Sequence, residues 1–465
     1  MNTSPTTGSG RRSATGRRRI GPTGLLALLL PLLTVGALAL VQPDPTQVTS
    51  TPADSVPVDQ ADLVCPPAFA PESGLAVAPA GRLDGGTAGV DGGEGDTTDI
   101  DLRSDAVTAL DDTTDAGFVR ARGAVSAQLL AARFQPRGLA ATECPLPRPS
   151  YAFTGVGADA DHASVLQLSN PDTGPAVADV TVLGRNGPLD VPELRGLTVQ
   201  GGRTVEVDLT EAVPTRNELA LEVVVSRGRL GATVTDAIPA LGTRVLTQDW
   251  LPASGEPVTE QLLLGLVEGS GTDTLGLANP GDDEVRVEVR IVTEDASFVP
   301  EGLDEIAVAP GSLESVTLTD QLREQIGNGA LGLELRSTGP VTAGLASVVG
   351  GDRVHAPVVT RAEEPITALV PPGRSSLVLG GAEGSGVATV AAYDGGRMLA
   401  EERVELTEGS GGTVQLPEAT TLVRVTPRRT GVAASVVTTG DGATVVPLQE
   451  LVRTALVPDV RPGLP

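Results

Sequence analysis

Lysine is missing from this sequence of 465 residues, so all 33 basic residues are arginine. Histidine occurs twice, tryptophan once, and aromatic residues make up only 2% of the chain. A phosphate-binding P-loop needs a lysine, and hydrolytic or zinc sites need histidine near a nucleophile or further ligands. The two histidines, His162 and His355, are far apart in the sequence and lie at positions that do not correspond between the repeats described below. We therefore predict that the chain has no catalytic, cofactor-binding or metal-ligating residue and that the protein is not an enzyme.

The charge is distributed unevenly along the chain. Residues 1–41 contain five arginines and no acid, whereas the remainder contains 28 arginines and 59 acidic residues, a net charge of −31. A surface this acidic repels phosphate backbones. Nucleic acid is therefore excluded as a partner.

An apolar run follows the N-terminal arginines. A helix over residues 25–41 spans about 25 Å, and one that starts at Ile20 spans about 33 Å, enough for a bilayer core of roughly 30 Å. Because the arginines precede the run, we expect residues 1–19 in the cytoplasm and everything after Val41 outside. We predict a plasma-membrane anchor over residues 20–41. Signal cleavage near Ala39, with secretion, is the alternative.

The two cysteines, Cys65 and Cys144, both follow the export segment. An isolated pair of thiols in an oxidising compartment usually forms a disulfide. The bridge would close a loop of about 80 residues, worth roughly 4–5 kcal/mol in the chain-entropy model. We predict this bridge, joining the N-terminal module to the first repeat; two free buried thiols are the alternative.

A repeat dominates the second half of the sequence. "LQLSNP" (Leu166–Pro171) recurs as "LGLANP" (Leu275–Pro280), and four pairs of residues are each separated by 109 positions: Asn170 and Asn279, Gly202 and Gly311, Val207 and Val316, and Leu209 and Leu318. Constant offsets over separated segments indicate a repeated structural unit.

A third, diverged copy is predicted near the C-terminus, with Asp394 and Gly395 in place of Asn279 and Pro280. The similarity between "LGLVEGSG" (Leu264–Gly271) and "LGGAEGSG" (Leu379–Gly386) supports it. Both segments lie between apolar stretches, so we interpret "EGSG" as a glycine hairpin turn and not as a phosphate-binding loop.

Within the copies, apolar and polar residues alternate, as in Val285–Ile291, and turn residues separate the stretches. This period of two is typical of antiparallel sheets with one buried face. We predict an all-β fold of tandem Ig-like sandwiches arranged as a rod behind one transmembrane helix, with a short helix at Asp320–Gly327. The predicted segments are a basic tail (1–19), an anchor (20–41), a tether (42–62), an N-terminal β-rich module (63–149) and repeats 1, 2 and 3 (150–258, 259–362 and 363–465).

Three further features of the sequence are candidate sites. Asp159, Asp161 and His162 could hold a cation, but acids on a loop are more often solvated. The acidic loop Asp84–Asp101 contains oxygen donors but matches no calcium motif, so we interpret it as a flexible loop. Trp250 is expected to pack between domains; an exposed sugar-stacking ring is the alternative.

The chain resembles an uncharacterised family of large secreted or membrane-anchored actinobacterial proteins. The resemblance rests on "CP" after a tether, on "RGLAATECPLPRPSYAFTGVG" (Arg137–Gly157) and on NP-containing β repeats. The arginine-only, Ala-, Gly- and Val-rich composition also suggests an actinobacterial source. The family's aromatic cluster is typically tryptophan-rich, whereas here it is Tyr151 and Phe153. The resemblance implies architecture and location and transfers no active site.

Together these features predict a non-catalytic, extracytoplasmic scaffold or interaction protein of the cell envelope. Its expected partner is an envelope protein or glycan, and no cofactor is expected. A carbohydrate-binding or adhesin-like module is the second hypothesis, and a hydrolase with an unrecognised site is the third.

The alternation makes a prediction about the two faces of a repeat. Val287→Asp or Leu318→Asp should unfold its module, because burying an unpaired charge costs on the order of several kcal/mol. Arg286→Asp, on the opposite face, should leave the urea midpoint nearly unchanged. Equal loss of stability in all three variants would show that the faces are reversed.

Overall fold

The computed structural model describes residues 54–70, 72–91, 97–110, 115, 117–136, 139–214, 216–239, 246–268 and 271–457. The chain divides into two compact units. One, Met1–Asp54 with Leu456–Pro465, lies almost wholly outside the described residues, and the other, Ser55–Ala455, contains the fold described below. The predicted anchor and most of the tether therefore lie outside the described residues.

The fold is all-β and built from antiparallel strands, with few and short helices. The N-terminal module contains the strands β1 (Asp54–Pro57), β2 (Gln60–Cys65), β3 (Gly74–Pro79), β4 (Gly86–Asp91), β5 (Thr97–Leu102), β6 (Thr108–Leu110), β7 (Gly117–Arg122), β8 (Leu129–Gln135) and β9 (Ala140–Glu143). A 3-10 turn (Gly123–Gln128) leads into β8.

Repeat 1 contains nine strands, a 3-10 turn (Pro192–Leu194) and the short helix α1 (Leu209–Ala212). Its strands are β10 (Ser150–Asp159), β11 (His162–Ser169), β12 (Ala176–Gly184), β13 (Gly187–Leu189), β14 (Leu197–Val199), β15 (Thr204–Asp208), β16 (Arg216–Arg227), β17 (Gly231–Pro239) and β18 (Leu246–Leu251).

Repeat 2 also contains nine strands, and its helix α2 (Thr319–Gly327) lies where the sequence predicted one. The strands are β19 (Val258–Leu264), β20 (Asp273–Asn279), β21 (Val285–Val292), β22 (Ser297–Phe298), β23 (Ile306–Val308), β24 (Ser312–Thr317), β25 (Gly332–Val349), β26 (Asp352–Ala356) and β27 (Val358–Val359).

Within the described residues, repeat 3 and the C-terminal end contain strands and no helix. They are β28 (Ile366–Leu369), β29 (Arg374–Gly380), β30 (Gly386–Asp394), β31 (Arg397–Leu406), β32 (Gly412–Gln415), β33 (Leu422–Arg428), β34 (Ala433–Thr439), β35 (Ala443–Pro447), β36 (Gln449–Glu450) and β37 (Thr454–Val457).

One pattern of strand pairing occurs four times. The first half of each module has the order β2-β7-β4-β5, β10-β16-β12-β13, β19-β25-β21-β22 or β28-β33-β30-β31. The second half has the order β6-β3-β8-β9, β15-β11-β17-β18, β24-β20-β25-β26 or β32-β29-β34-β35. The N-terminal module therefore has the same topology as the three repeats, which its sequence did not reveal.

This topology corrects the predicted register of the third copy. β29 occupies the place of β20, so Asp394 ends β30 and Gly395 lies in the turn to β31, and the two are not the counterparts of Asn279 and Pro280. The two "EGSG" segments are not equivalent either, because one precedes β20 and the other follows β29. Neither joins a hairpin, since the strands on its two sides do not pair with each other.

Glycine in these segments instead allows close approach of two backbones. A Cβ atom on Gly271 would lie 2.3 Å from the carbonyl oxygen of Val348, and one on Gly386 would lie 2.5 Å from that of Arg428. The predicted turn chemistry, which relies on positive φ, is therefore wrong for these two glycines.

The faces predicted for repeat 2 are confirmed by burial. Val287 and Leu318 are 0% and 1% exposed and belong to one apolar cluster, whereas the side chain of Arg286 is 61% exposed. Each of the four modules has its own apolar core between its two halves.

The repeated asparagines fasten equivalent turns. Asn279 is fully buried; its Nδ2 donates to the carbonyl oxygens of Asp283 (2.8 Å) and Val308 (3.2 Å), and its Oδ1 accepts from Gly281 N (2.9 Å). Asn170 makes the same bonds 109 residues earlier, to Gly174, Val199 and Asp172.

The predicted disulfide is present, with Cys65 and Cys144 both in the core of the N-terminal module. Cys65 ends β2 in one half, and Cys144 follows β9 in the other, where its N–H donates to Ala131 O (2.9 Å). The bridge therefore joins the two halves of one module, and not, as predicted, that module to repeat 1.

The modules do not form a rod in which only sequence neighbours touch. Apolar residues of β3 and β8 share a cluster with Leu369 and Leu422 of repeat 3. Polar contacts complete a cycle of four interfaces: Arg229 with Asp62 (2.9 Å), Thr154 with Thr342 (3.2 Å), Arg361 Nε with Gly381 O (2.7 Å), and Arg424 with Asp105.

The asparagine bonds generate a test of the repeat. Asn279→Asp should destabilise repeat 2 by on the order of 3 kcal/mol, because a carboxylate cannot donate to the carbonyl oxygens of Asp283 and Val308. Urea denaturation followed by circular dichroism measures the change. Asp282→Asn, at an exposed neighbour, is the matched control and should stay within about 0.5 kcal/mol of the native protein. A similar effect of both changes would contradict the assigned role.

Candidate functional site

The four modules meet at their second halves, and this meeting point is here called the junction. β9, β18, β26 and β35 are the corresponding outer strands of these halves, and each contacts the next in a closed cycle. Unpaired strand edges expose backbone donors and acceptors, and packing against other strands covers them. A cavity of about 110 Å³ lies at the junction and is lined by residues from all four modules.

A buried carboxylate, Asp236, connects the two histidines beside this cavity. Asp236 is 2% exposed, and its Oδ1 lies 2.7 Å from Nε2 of His162 and accepts a hydrogen bond from Ser164 Oγ (2.6 Å). Its Oδ2 lies 3.4 Å from both Nε2 of His355 and Nε of Arg353. His162 belongs to repeat 1 and His355 to repeat 2, so the cluster fastens two modules together.

The charges in this cluster are set by burial and by neighbours. Burial alone would raise the pKa of Asp236, but the hydrogen bond from His162, the contact with His355 and the charge of Arg353 outweigh it, so the pKa lies far below its ordinary value. Burial lowers the pKa of His355, only partly opposed by Asp236. At neutral pH the cluster therefore contains an ionised Asp236 and a neutral His355.

Local geometry places His162 at this carboxylate. β10 and β11 form a hairpin in which Asp159 pairs with His162, and the imidazole lies on the backbone of Gly157. A Cβ atom on Gly157 would lie 2.3 Å from Cγ of His162, so only glycine leaves room for the ring. Ser164 accepts from Gly157 N (2.9 Å) while it donates to Asp236.

The cluster is not arranged for nucleophilic catalysis. In a serine triad the histidine stands between the hydroxyl and the carboxylate. Here Ser164 and His162 both contact Oδ1 of the same Asp236, and Ser164 is fully buried. The serine therefore donates directly to a carboxylate, with no histidine between them, and the contacts it makes are those of a structural hydrogen-bond network.

Two further carboxyl groups, those of Glu143 and Asp249, line the junction cavity. Burial raises the pKa of Glu143 well above its ordinary value, and the charge of Arg148 opposes this only partly. Burial also raises the pKa of Asp249; the N–H of Trp250 opposes the shift, and the charges of Asp352 and Asp236 add to it.

Asp352 fastens repeats 2 and 3 close to this cavity. Its Oδ2 accepts from the backbone N–H of Ala443 (3.0 Å), and burial raises its pKa to about 6 in spite of that bond.

A second cavity, of about 220 Å³, is lined by His162 and Arg353, whereas His355 lines the junction cavity.

Trp250 packs between two modules, as expected. Its ring is 3% exposed and stacks on Phe69 of the N-terminal module with centroids 4.0 Å apart. The alternative of an exposed sugar-stacking platform is therefore wrong for this residue. Tyr151 and Phe153 are likewise buried core residues, and the Tyr151 hydroxyl donates to Leu230 O (2.9 Å).

The predicted candidates for cation binding are not brought together. Asp159 Oδ1 accepts from the N–H of Asp161 in an exposed turn, whereas the ring of His162 contacts Asp236. The prediction of a flexible loop over Asp84–Asp101 is wrong for most of its described residues, because β4 and β5 pair there as a hairpin. Glu94 and Asp96 lie outside the described residues. In the described part of the chain, no group of three or more His, Cys, Asp or Glu side chains could hold a metal ion.

Sequence reasoning treated the two histidines as unrelated and did not single out Asp236. One local signal was present: Asp236 follows Ala232 and Val234 at the buried positions of an alternating strand. An acid at a core position requires a partner, because a buried unpaired charge is costly. Its nearest partners, His162 and Ser164, lie on β11, which pairs with β17, and the more distant His355 lies on β26, more than a hundred residues away.

These features define a class of protein: an all-β, disulfide-bonded chain of sandwich-like modules joined at a charged junction. The chain belongs to the family of unknown function DUF5719, whose model matches residues 103–417. No curated protein matches the chain. Of the helices in the described ranges, none is long and apolar enough to span a membrane.

The contributions of Asp236 and Asp352 to the stability of the fold should depend on pH in opposite directions. A depressed pKa gives Asp236 a stabilising contribution that is complete above about pH 4 and is lost as the pH falls further. Asp236→Asn should therefore lower the stability at pH 7 and converge with the native protein in acid. The raised pKa of Asp352 has the reverse effect: stability falls as the pH rises through the window from about 4 to 6.

Asp352→Asn should thus stabilise the fold at pH 7.5, by on the order of 2 kcal/mol, and have little effect at pH 4, since asparagine still accepts from Ala443 N. Urea denaturation at several pH values gives both profiles. A loss of stability at pH 7.5 in Asp352→Asn would contradict the assignment.

Proposed function

We propose that this protein is a non-catalytic component of the cell envelope that acts by contact with other envelope molecules. Residues 20–41 anchor it in the plasma membrane, and the modules lie outside the cell; release after cleavage near Ala39 is the alternative. We further propose that the modules are Ig-like sandwiches and that the source is an actinobacterium. The family is one of unknown function, so membership in it favours no particular role.

One observation carries this proposal: the ionisable side chains best suited to chemistry form structural contacts between modules. His162, His355 and Arg353 all contact Asp236, and Asp352 accepts a hydrogen bond from the backbone of repeat 3. Such contacts fix the positions of the modules relative to one another. A fixed arrangement is useful to a protein that presents surfaces at set positions.

The proposed location is supported by charge and by the disulfide. Arginines before an apolar run favour a cytoplasmic N-terminus, and the Cys65–Cys144 bridge is consistent with an oxidising compartment. The strongly acidic remainder of the chain is compatible with a solvated exterior.

An exposed apolar pair marks a candidate contact surface. Phe298 and Val299 are adjacent, 38% and 41% exposed, and Phe298 lies on β22, the outer strand of its half in repeat 2. Adjacent exposed apolar residues at a sheet edge are typical of interaction sites.

A photo-crosslinking amino acid at position 298 of the full chain tests the proposal in intact cells. We expect a discrete adduct with an envelope protein or glycan, and none from position 282, an exposed acidic site in the same module. Phe298→Ser with Val299→Ser should reproduce the deletion phenotype while the urea midpoint stays unchanged. Full complementation by that double variant, together with no adduct at 298, would overturn this contact surface.

A further inference from the structure

The second cavity, lined by residues of repeats 1 and 2, contains a guanidinium group without hydrogen-bond acceptors. The side chain of Arg353 is 18% exposed, and its Nε lies 3.4 Å from Oδ2 of Asp236. Nε makes no hydrogen bond, and within the described residues neither terminal nitrogen has an acceptor. Buried donors are normally satisfied, and the guanidinium fork matches a carboxylate. The cavity therefore has room for a carboxylate at this end.

A β-bulge brings a strained acidic residue to the same cavity. The pairing of β10 with β16 changes register around Gly157, so that Asn217 and Glu218 together stand opposite this one residue. Glu218 has a φ of 59°, a left-handed conformation that a residue with a side chain adopts only at a cost. Bulges re-aim side chains, and strained residues cluster at ligand sites. Asn217 and Glu218 both line the cavity, so the strain is retained where a side chain reaches it.

The charged groups at this cavity do not neutralise one another. Asp161 and Glu218 line it and are exposed, so a ligand can enter along them. Within the described residues neither carboxylate forms an ion pair, with Arg353 or with any other base. A cavity with one unpaired site for a carboxylate and another for an ammonium group is complementary to a zwitterion.

From the guanidinium, the bulge and this separation of charge, we propose that the second cavity binds an aliphatic α-amino acid. Arg353 donates to the carboxylate of the ligand, and Asp161 and Glu218 accept from its ammonium group. Ile238 and Leu313, which line the same cavity, contact its side chain. This ligand goes beyond the proposed contact function, which depends on the outer surface of repeat 2.

The size of the cavity limits the ligand. A cavity of about 220 Å³ has room for roughly nine non-hydrogen atoms, since one of about 150 Å³ binds benzene. Leucine has this size. Two compounds of similar shape separate its charges, because 4-methylpentanoate lacks the amino group and 3-methylbutylamine lacks the carboxylate.

The test is isothermal titration calorimetry of the full chain in detergent with leucine, 4-methylpentanoate, 3-methylbutylamine and glucose. We expect leucine to bind at least about tenfold more tightly than either singly charged compound, and glucose not to bind. Arg353→Lys keeps a positive charge opposite Asp236 but removes the planar fork, so it should weaken leucine binding by about tenfold while circular dichroism confirms the fold.

A second pair of variants separates binding from stability. Glu218→Gly removes both the carboxylate and the backbone strain, so it should keep or raise the urea midpoint and weaken leucine binding. Arg429→Gly is the matched control, because Arg429 has a similar φ of 64° and does not line the cavity. It should keep or raise the urea midpoint and leave the affinity for leucine unchanged.

Several results would overturn the proposal. Binding of 4-methylpentanoate or 3-methylbutylamine as tight as that of leucine would exclude recognition of a zwitterion. Binding of glucose that Arg353→Lys abolishes would assign the cavity to a sugar. Absence of leucine binding to the folded protein, or an equal effect of Glu218→Gly and Arg429→Gly on its affinity, would likewise contradict the assigned site.

Discussion

The arrangement depends on how four strand edges and their charged side chains are buried at one place. β9, β18, β26 and β35 would each expose an edge if a module stood alone, and in the described unit they cover one another. The charged groups they bring with them, and above all Asp236 nearby, must then find partners without water. An unpaired buried carboxylate costs several kcal/mol, so the position of His355 and Arg353 opposite Asp236 is a condition for closing the interface between repeats 1 and 2.

The same condition explains features that a single module would not require. Gly157 has no side chain because the ring of His162 occupies that space, and His162 is placed there to contact Asp236. Trp250 stacks on Phe69 across a module boundary, so its burial depends on the neighbouring module. The interfaces therefore determine residues that lie inside each module, and the stability of one module is coupled to that of the next.

Local patterns in the sequence predicted what local physics determines. Alternation gave the buried face of β21, and a spacing of 109 gave the equivalent bonds of Asn170 and Asn279, because these depend on residues close in sequence. Contacts between distant strands could not be predicted from such local patterns. His162 and His355 both contact Asp236 only because β26 packs beside repeat 1. The identical residues of the two "EGSG" segments led to a wrong register for repeat 3. Glycine occurs wherever two backbones approach closely, so its recurrence does not show that two segments are equivalent. The N-terminal module has the same topology as the repeats but lacks the NP motif. Its similarity to them is therefore seen only in the strand pairing.

The four modules differ in the side chains that their junction strands carry. Their cores use interchangeable Val, Leu and Ala side chains, and their turns use Gly, Asn and Pro. The four junction strands, in contrast, carry different groups: Glu143 on β9, Asp249 on β18, His355 on β26 and Thr444 on β35. A repeated fold needs the same core in each copy, but nothing in the folding of one module requires a particular side chain on its junction strand. The individual chemistry of the protein is therefore concentrated at the junction, where the copies are free to differ.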